Sequence, residues 1–257
     1  MIDAFGSFSQ VMILFAAAFG AGVLNTIAGG GTFLTFPALV LAGITPVAAN
    51  ATSAVAVFPG YLGGAFGFRK ELFSFDRRFL LRLICITTVG GIVGSGMLVV
   101  SSDRVFSFVI PFLLLVSTLI FLFGERLRIR SASSIHPTNW NGVAGMFAVS
   151  VYGEYFNGGL GIVMLALFAL WGMSNLHRMN ALKSGLSFVL SALSVGVFAI
   201  AGLIAWPQAA IMMFASTLGG YAGAPIARAL PRTVLRALIA AIGFGTSAIF
   251  FARLGRV

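Results

Sequence analysis

Two ionisable residues lie in sequence where a charge is costly. Glu154 sits inside the apolar stretch 140–174, and Lys183 stands at the head of the stretch 184–204. An ionisable group at membrane depth marks a functional position by default. A carboxyl there can take up and release a proton, and an ammonium there can neutralise an anion. The other chemistry-bearing residues are amides, hydroxyls and glycines. Asn25, Thr26 and Thr32 flank Ala28-Gly29-Gly30-Gly31, and Asn157 opens Gly158-Gly159-Leu160-Gly161. Asn50, Thr52 and Ser53 stand together, as do Asn180, Lys183, Ser184 and Ser187. A helix that begins after a glycine break, at Thr32 or Gly161, aims free N–H groups and a partial positive charge forward, which suits an anion. These groups suit capture of a small anion, not bond-making. Two plainer readings stay open. The glycines let helices pack closely, and Lys183 either snorkels to the surface or pairs with Glu154.

Enzymatic constellations are missing. The sequence has no Walker A loop, GxSxG elbow, HExxH or dinucleotide fingerprint. Cys85 is the single cysteine, so no internal disulfide forms. His136 and His177 are far apart, and no Cys/His cluster suggests a metal or other cofactor.

The elements that must position these residues are membrane helices. Of 257 residues, 59% are hydrophobic and only 9% charged, with mean hydropathy +1.05. Soluble domains carry about 25% charged residues. Only helices and closed barrels satisfy their backbone in hydrocarbon, and long continuous apolar runs exclude the alternating pattern of a barrel. The net charge of +10 comes from Lys and Arg in short loops beside apolar spans. That is a topology signal, not a nucleic-acid footprint. The expected fold is therefore an all-α polytopic membrane protein.

Apolar stretches fall at 10–43, 47–66, 79–100, 104–123, 140–174, 184–204, 207–227 and 233–252. As one straight helix, 10–43 would measure about 51 Å against a hydrocarbon core of about 30 Å. Glycine interrupts both this stretch and 140–174. Each then reads as two helical pieces joined in a full hairpin or a re-entrant pair. The breaks belong to an internal repeat. Gly29-Gly30-Gly31 overlies Gly159-Leu160-Gly161 in the register that puts Asn50-Ala51 on Asn180-Ala181. Thr88–Gly94 matches Thr217–Gly223 one residue out of that register, and its small-xxx-small spacings read as packing. The repeats are residues 1–124 and 140–257, with a basic linker at 125–139.

Charge orients the spans. Arg69, Lys70, Arg77, Arg78 and Arg82 fall in the loop 67–82, and Arg126, Arg128 and Arg130 in the loop 124–139. Both read as cytoplasmic. His177, Arg178 and Lys183, and then Arg228, Arg232 and Arg236, join them only if 140–174 enters and leaves on one side. The N-terminus, Met1–Gln10, has no Lys or Arg. It lacks a signal peptide's positive region and reads as external. The halves are then inverted in the membrane, a layout of secondary transporters. Arg253 and Arg256 fall outside in this scheme, against the charge rule. An uninterrupted eight-span chain is the alternative. Pro59, Pro111 and Pro225 fall inside spans as kinks. Trp140, Trp171 and Trp206 stand at span ends as interface anchors.

The run Asn25-Thr-Ile-Ala-Gly-Gly-Gly-Thr-Phe-Leu-Thr-Phe-Pro37, with Gly43 and Ala49-Asn-Ala-Thr-Ser53, resembles the first repeat of the sulfite exporter TauE/SafE family. Gly158-Gly-Leu-Gly161 and Leu176-His-Arg-Met-Asn-Ala-Leu-Lys183 resemble its second, except that Leu160 interrupts the glycine run. The resemblance implies an inner-membrane, ion-gradient-driven permease, usually an exporter, for sulfite, organosulfonates or related anions. The expected site is Asn25, Thr26, Gly29, Gly30, Gly31, Thr32, Asn50, Thr52, Asn157, Gly158, Gly159, Gly161, Asn180 and Lys183, with Glu154 as the proton-coupling group. The expected partners are the small anion, the bilayer and a coupling proton or cation; self-association is open. A permease for another small anion and a non-transporting assembly or sensor subunit are the competing functions.

Overall fold

The structure, a computed structural model, describes residues 7–27, 29–130, 136–229 and 232–254. Within these it leaves out the side chains of 26, 27, 121, 123–130, 223–229, 232–236, 238, 239, 253 and 254. The described residues form helices and no strand. In order these are α1 (Phe8–Ile27), α2 (Thr32–Leu41), α3 (Pro46–Gly67), α4 (Arg69–Phe73), α5 (Arg77–Val100), α6 (Asp103–Arg130), α7 (Trp140–Phe156), α8 (Leu160–Leu170), α9 (Leu176–Ile200), α10 (Trp206–Ala229) and α11 (Arg232–Leu254). Among the described residues, Phe8–Asn25, Arg77–Val100, Asp103–Ile120 and Leu176–Ile200 are long and apolar enough to cross a membrane.

Local chemistry sets the boundaries. Pro46 opens α3, where a missing N–H costs nothing. Asp76 accepts from the Phe79 amide at 3.0 Å and caps α5. That cap corrects the expected loop 67–82. The segment contains α4, and Arg77, Arg78 and Arg82 lie on the first turns of α5. Likewise α6 runs through to Arg130, so Arg126, Arg128 and Arg130 extend a helix instead of lying in a loop. Their side chains lie outside the described residues, as do those of Arg228, Arg232, Arg236, Arg253 and Arg256, and Met1–Gly6 lie outside altogether. Asn175 accepts from the His177 and Arg178 amides at 3.0 and 3.1 Å and caps α9. Asn180 and Lys183 therefore stand one and two turns inside a helix.

Both long stretches break, and both fold back. Leu34 packs on Gly20, and Gly31 packs on Ala21 and Asn25, so α2 returns antiparallel along α1. Leu160 packs on Gly153 and Leu167 on Gly145, so α8 returns along α7 in the same way. The return arms have 10 and 11 residues, about 15 Å each at 1.5 Å per residue, half the thickness of the hydrocarbon core. Each break is therefore a hairpin with a half-length return arm.

The helices pair reciprocally between the halves. Helix α1 lies along α10 as α7 lies along α5, and α3 packs on α10 as α9 packs on α5. Helix α6 contacts α8 as α11 contacts α2. The remaining pairs run antiparallel. Phe58 stacks on Phe188 at 5.3 Å while Gly64 meets Ser184, and Phe112 meets Phe251 at 5.0 Å while Gly243 meets Thr118. Glycines make the closest approaches, since without a Cβ the helix backbones can touch. A Cβ added at Gly94 would meet the Val151 backbone, and one at Gly219 the Phe19 backbone.

The basic segments Arg69–Arg82 and Arg178 gather at one end of the bundle. Arg178 sits 4.3 Å over the Phe75 ring, and Arg82 donates to the Thr138 carbonyl at 3.1 Å. At the opposite helix ends, Asp103 accepts from the Val47 amide at 2.9 Å. Trp140 and Trp206 are exposed, as anchors are. Trp171 is not: it is 6% exposed and packs on Phe168 at 5.3 Å. The return of α8 turns its end inward and takes Trp171 with it.

Candidate functional site

The two glycine turns meet. Gly29 adopts φ +81°, which a residue with a Cβ rarely takes. Asn25 Oδ1 accepts from the Gly31 amide at 2.8 Å and clamps this first turn to α1. The second turn uses Asn157 at φ 35° and Gly159 at φ 72°. Tyr152 donates from its hydroxyl to the Gly158 carbonyl and closes it.

The tips overlap in antiparallel register. A Cβ added at Gly29 would lie 2.9 Å from the Gly161 Cα, and one at Gly30 would lie 3.3 Å from Ile162. Thr32 Oγ1 donates to the Asn157 carbonyl at 2.9 Å and accepts from the Gly159 amide at 3.4 Å. One turn further, Phe36 meets Phe156 edge to face at 5.9 Å. One helix begins where expected, at Thr32, and the other begins one residue earlier than expected, at Leu160 in place of Gly161. Among the described residues the amides of Gly30, Thr32 and Gly161 take no hydrogen-bond partner. These are the donors a helix start leaves free.

Lys183 threads past this junction. It is 2% exposed. Its Cδ comes within 3.5 and 3.2 Å of Cβ positions built on Gly29 and Gly161. It makes no ion pair or hydrogen bond with a described residue. Burial at this depth removes the snorkelling reading, and the expected alternative of a Glu154–Lys183 pair does not form. Glu154, 3% exposed, instead accepts from Ser194 Oγ at 2.7 Å. Ser194 lies eleven residues beyond Lys183 on α9, about 16 Å along the axis.

Several site residues carry buried polar atoms without partners among the described residues. These are Asn25 Nδ2, Asn157 Oδ1 and Asn180 Oδ1. Such groups are rare in native proteins and each calls for an explanation. Asn50 adjoins the second turn, donating to the Tyr155 carbonyl at 3.0 Å.

Other expected members lie elsewhere. Thr52 Oγ1 accepts from the Ala205 amide at 3.0 Å and so holds the connection into α10, away from the tips. The side chain of Thr26 lies outside the described residues. Gly158 faces the ring of Phe156. Sequence reasoning missed Tyr61, Tyr152 and Ser194. Ser194 had a signal: Ser184, Ser187, Ser191 and Ser194 repeat at i, i+3, i+7 and i+10, one helix face, and all are buried. Tyr61 and Tyr152 had none, since an aromatic residue in an apolar run reads as packing.

A family model described as Sulfite exporter TauE/SafE matches residues 14–250. The chain is 29% identical over 234 residues to a "Probable membrane transporter protein" of Haemophilus influenzae, covering 90% of this chain and 91% of that one. It is 27% identical over 241 residues to "Probable membrane transporter protein ORF9" of a Sinorhizobium species, covering 91% and 89%. It is 27% identical over 242 residues to "Probable membrane transporter protein YfcA" of Escherichia coli K12, covering 92% and 87%. No solved structure matches the chain.

Proposed function

This chain belongs to the sulfite exporter TauE/SafE family and is a multi-pass membrane transporter, and from that premise we propose that it is an inner-membrane secondary transporter exporting a small sulfur oxyanion or organosulfonate. The observation that carries the reading is the overlap of two glycine turns beside a buried lysine that has no counter-ion among the described residues. Free amides at Gly30, Thr32 and Gly161 and the unpaired Nδ2 of Asn25 are donors that match anion oxygens. The Lys183 ammonium supplies the charge. Glu154 couples the anion to a proton.

The halves work as inverted repeats. A two-fold axis lying across the helices turns each helix of one half into an antiparallel mate in the other, whereas an axis along them leaves mates parallel. The antiparallel packing of α3 on α9 and of α6 on α11 supports the first arrangement. One hairpin then enters from each face, and rocking of one half against the other exposes the overlapping tips to either side. The gathering of Arg69–Arg82 and Arg178 at one end supports a cytoplasmic face there.

The test is flux into proteoliposomes holding the purified protein, with sulfite, thiosulfate, sulfoacetate, taurine and chloride. At least one sulfur anion is expected to cross faster than in protein-free liposomes. Movement of chloride alone would replace the substrate class, and movement of none would end the reading. Cysteines placed at Asn25 and Asn157 should react with polar thiol reagents, because the tips must meet water during the cycle.

A further inference from the structure

Tyr61 is a buried group that the anion site leaves unused. It lies on α3, and its hydroxyl has no hydrogen-bond partner among the described residues. Leaving a buried hydroxyl unpaired is costly. It lies within electrostatic reach of Glu154, whose Oε2 accepts from Ser194 Oγ at 2.7 Å. Beneath the carboxylate, α5 presents Gly91 and Gly94. Cβ atoms built there would come 3.4 Å from Glu154 Cγ and 2.9 Å from Glu154 Cβ. The groups facing Glu154 are thus a phenol from α3, a hydroxyl from α9 and bare glycine from α5. No described Lys, Arg or His acts on it.

We propose that Glu154, Ser194 and Tyr61 form a proton site separate from the anion site at Lys183, resting on the transport reading above. The separation is the eleven-residue step along α9 from Lys183 to Ser194. In the ionised state the carboxylate accepts from Ser194 Oγ, with the unpaired Tyr61 hydroxyl within its electrostatic reach. A proton arriving from one aqueous phase forms an O–H bond on Glu154, whose donor then turns to the Tyr61 oxygen. The proton leaves to the other phase when the halves rock, and no other bond is made or broken. Ca²⁺ and Mg²⁺ gather about six or more oxygens, more than these three side chains offer, which favours the proton over a divalent cation.

Two assays on one proteoliposome preparation test this: exchange of labelled sulfite at equal pH, and net sulfite flux driven by an imposed pH gradient. Wild type is expected to do both. Glu154→Gln should keep exchange and lose gradient-driven flux to the level of protein-free liposomes. Tyr61→Phe and Ser194→Ala, each removing only a hydroxyl, should weaken the gradient response while exchange stays. Lys183→Ala should lose both. The inference is overturned if Glu154→Gln still follows the pH gradient, if the two hydroxyl variants respond as wild type does, or if a sodium gradient at clamped pH drives flux instead. Loss of exchange in Glu154→Gln alongside normal exchange in Tyr61→Phe and Ser194→Ala also overturns it, because the carboxyl then belongs to the anion site. Wild type that exchanges none of the sulfur anions sinks the transport reading itself, and this inference with it.

Discussion

The first and second hairpins share a backbone device but not a chemistry. Each turns on left-handed residues, returns along its first arm, and leaves helix-start amides without partners among the described residues. Yet in the register that overlays the turns, Glu154 falls on Leu24 and Lys183 on Ser53. Ser53 shares a hydrogen bond with Thr35 at 2.5 Å, so the first half satisfies locally what the second leaves charged. The backbone geometry that makes a two-sided site is thus common to both halves, while the charges that give it a sign and a driving ion sit in one. Breaking the shared device should cost most, and altering the unshared groups should cost function more than stability.

The largest effect is expected at the contact between turns. Gly161→Val puts a branched side chain against the Gly29 Cα, where even a Cβ would lie 2.8 Å away. Gly29→Val adds a left-handed backbone at φ +81°. Overpacking costs about 1–3 kcal/mol and a left-handed residue about 1–2 kcal/mol more. Thermal unfolding in detergent should therefore rank wild type above Gly161→Val, and Gly161→Val above Gly29→Val. Transport should be lost in both. Gly43→Ala is the control, left-handed at φ +88° with nothing within 4 Å of its Cβ; only the strain of about 1–2 kcal/mol should appear, with flux retained. If Gly161→Val transports normally, the tips do not form the site.

Next comes the unshared charge. Lys183→Ala should abolish saturable sulfite flux, while Ser53→Ala at the mate position should cost about 1 kcal/mol of stability, the worth of one hydrogen bond, and leave substrate affinity unchanged. Equal losses of flux in the two variants would mean that the halves share the anion and that Lys183 holds no special place.

How far these regions were legible from the sequence follows from the same contrast. Consecutive glycines in apolar runs too long for one crossing identify both breaks, and the helix start at Thr32 follows from where the glycines stop, whereas in the second break the helix starts at Leu160, before the last glycine. The depth of Glu154 and Lys183 is also readable, since charges are scarce enough that each is conspicuous. What touches what is not readable. The overlap of Gly29 with Gly161 spans more than 130 residues, and no local propensity encodes it. Thr52 shows the limit on the polar side: beside Asn50 and Ser53 it reads as a site residue, but the helix turns it toward the Ala205 amide. Trp171 shows it on the apolar side, because a tryptophan at the end of an apolar run reads alike whether the run crosses the membrane or returns from half way.

A smaller effect is expected at the clamp of the first turn. Asn25→Asp keeps the acceptor for the Gly31 amide but replaces the free Nδ2 donor with a second carboxylate oxygen. Burying the new carboxyl should cost stability about 1–3 kcal/mol. The apparent KM for the anion should rise, because a negative group then faces it. An unchanged KM would remove Asn25 from the site and leave it as a structural clamp.

The smallest effect on stability, and the most informative, is expected at Asn157. Asparagine is among the few side chains that tolerate a left-handed backbone, and here it adopts φ 35° and ψ −11°. Asn157→Gly relieves that strain and removes the buried unpaired Oδ1, but it frees the unfolded chain by about 0.5–1 kcal/mol. These terms nearly cancel, so the unfolding midpoint should stay close to wild type. The carbonyl that Thr32 binds belongs to the backbone and survives the change, so the junction between the hairpins is kept. Only the side-chain amide is lost. A raised KM with an unmoved midpoint would give that amide a place on the anion. An unmoved KM would make Asn157 a turn former alone, and the binding groups would then contract to the amides of Gly30, Thr32 and Gly161, Asn25 Nδ2 and Lys183. The first half would then supply most of the donors, and the second the Gly161 amide and the counter-ion.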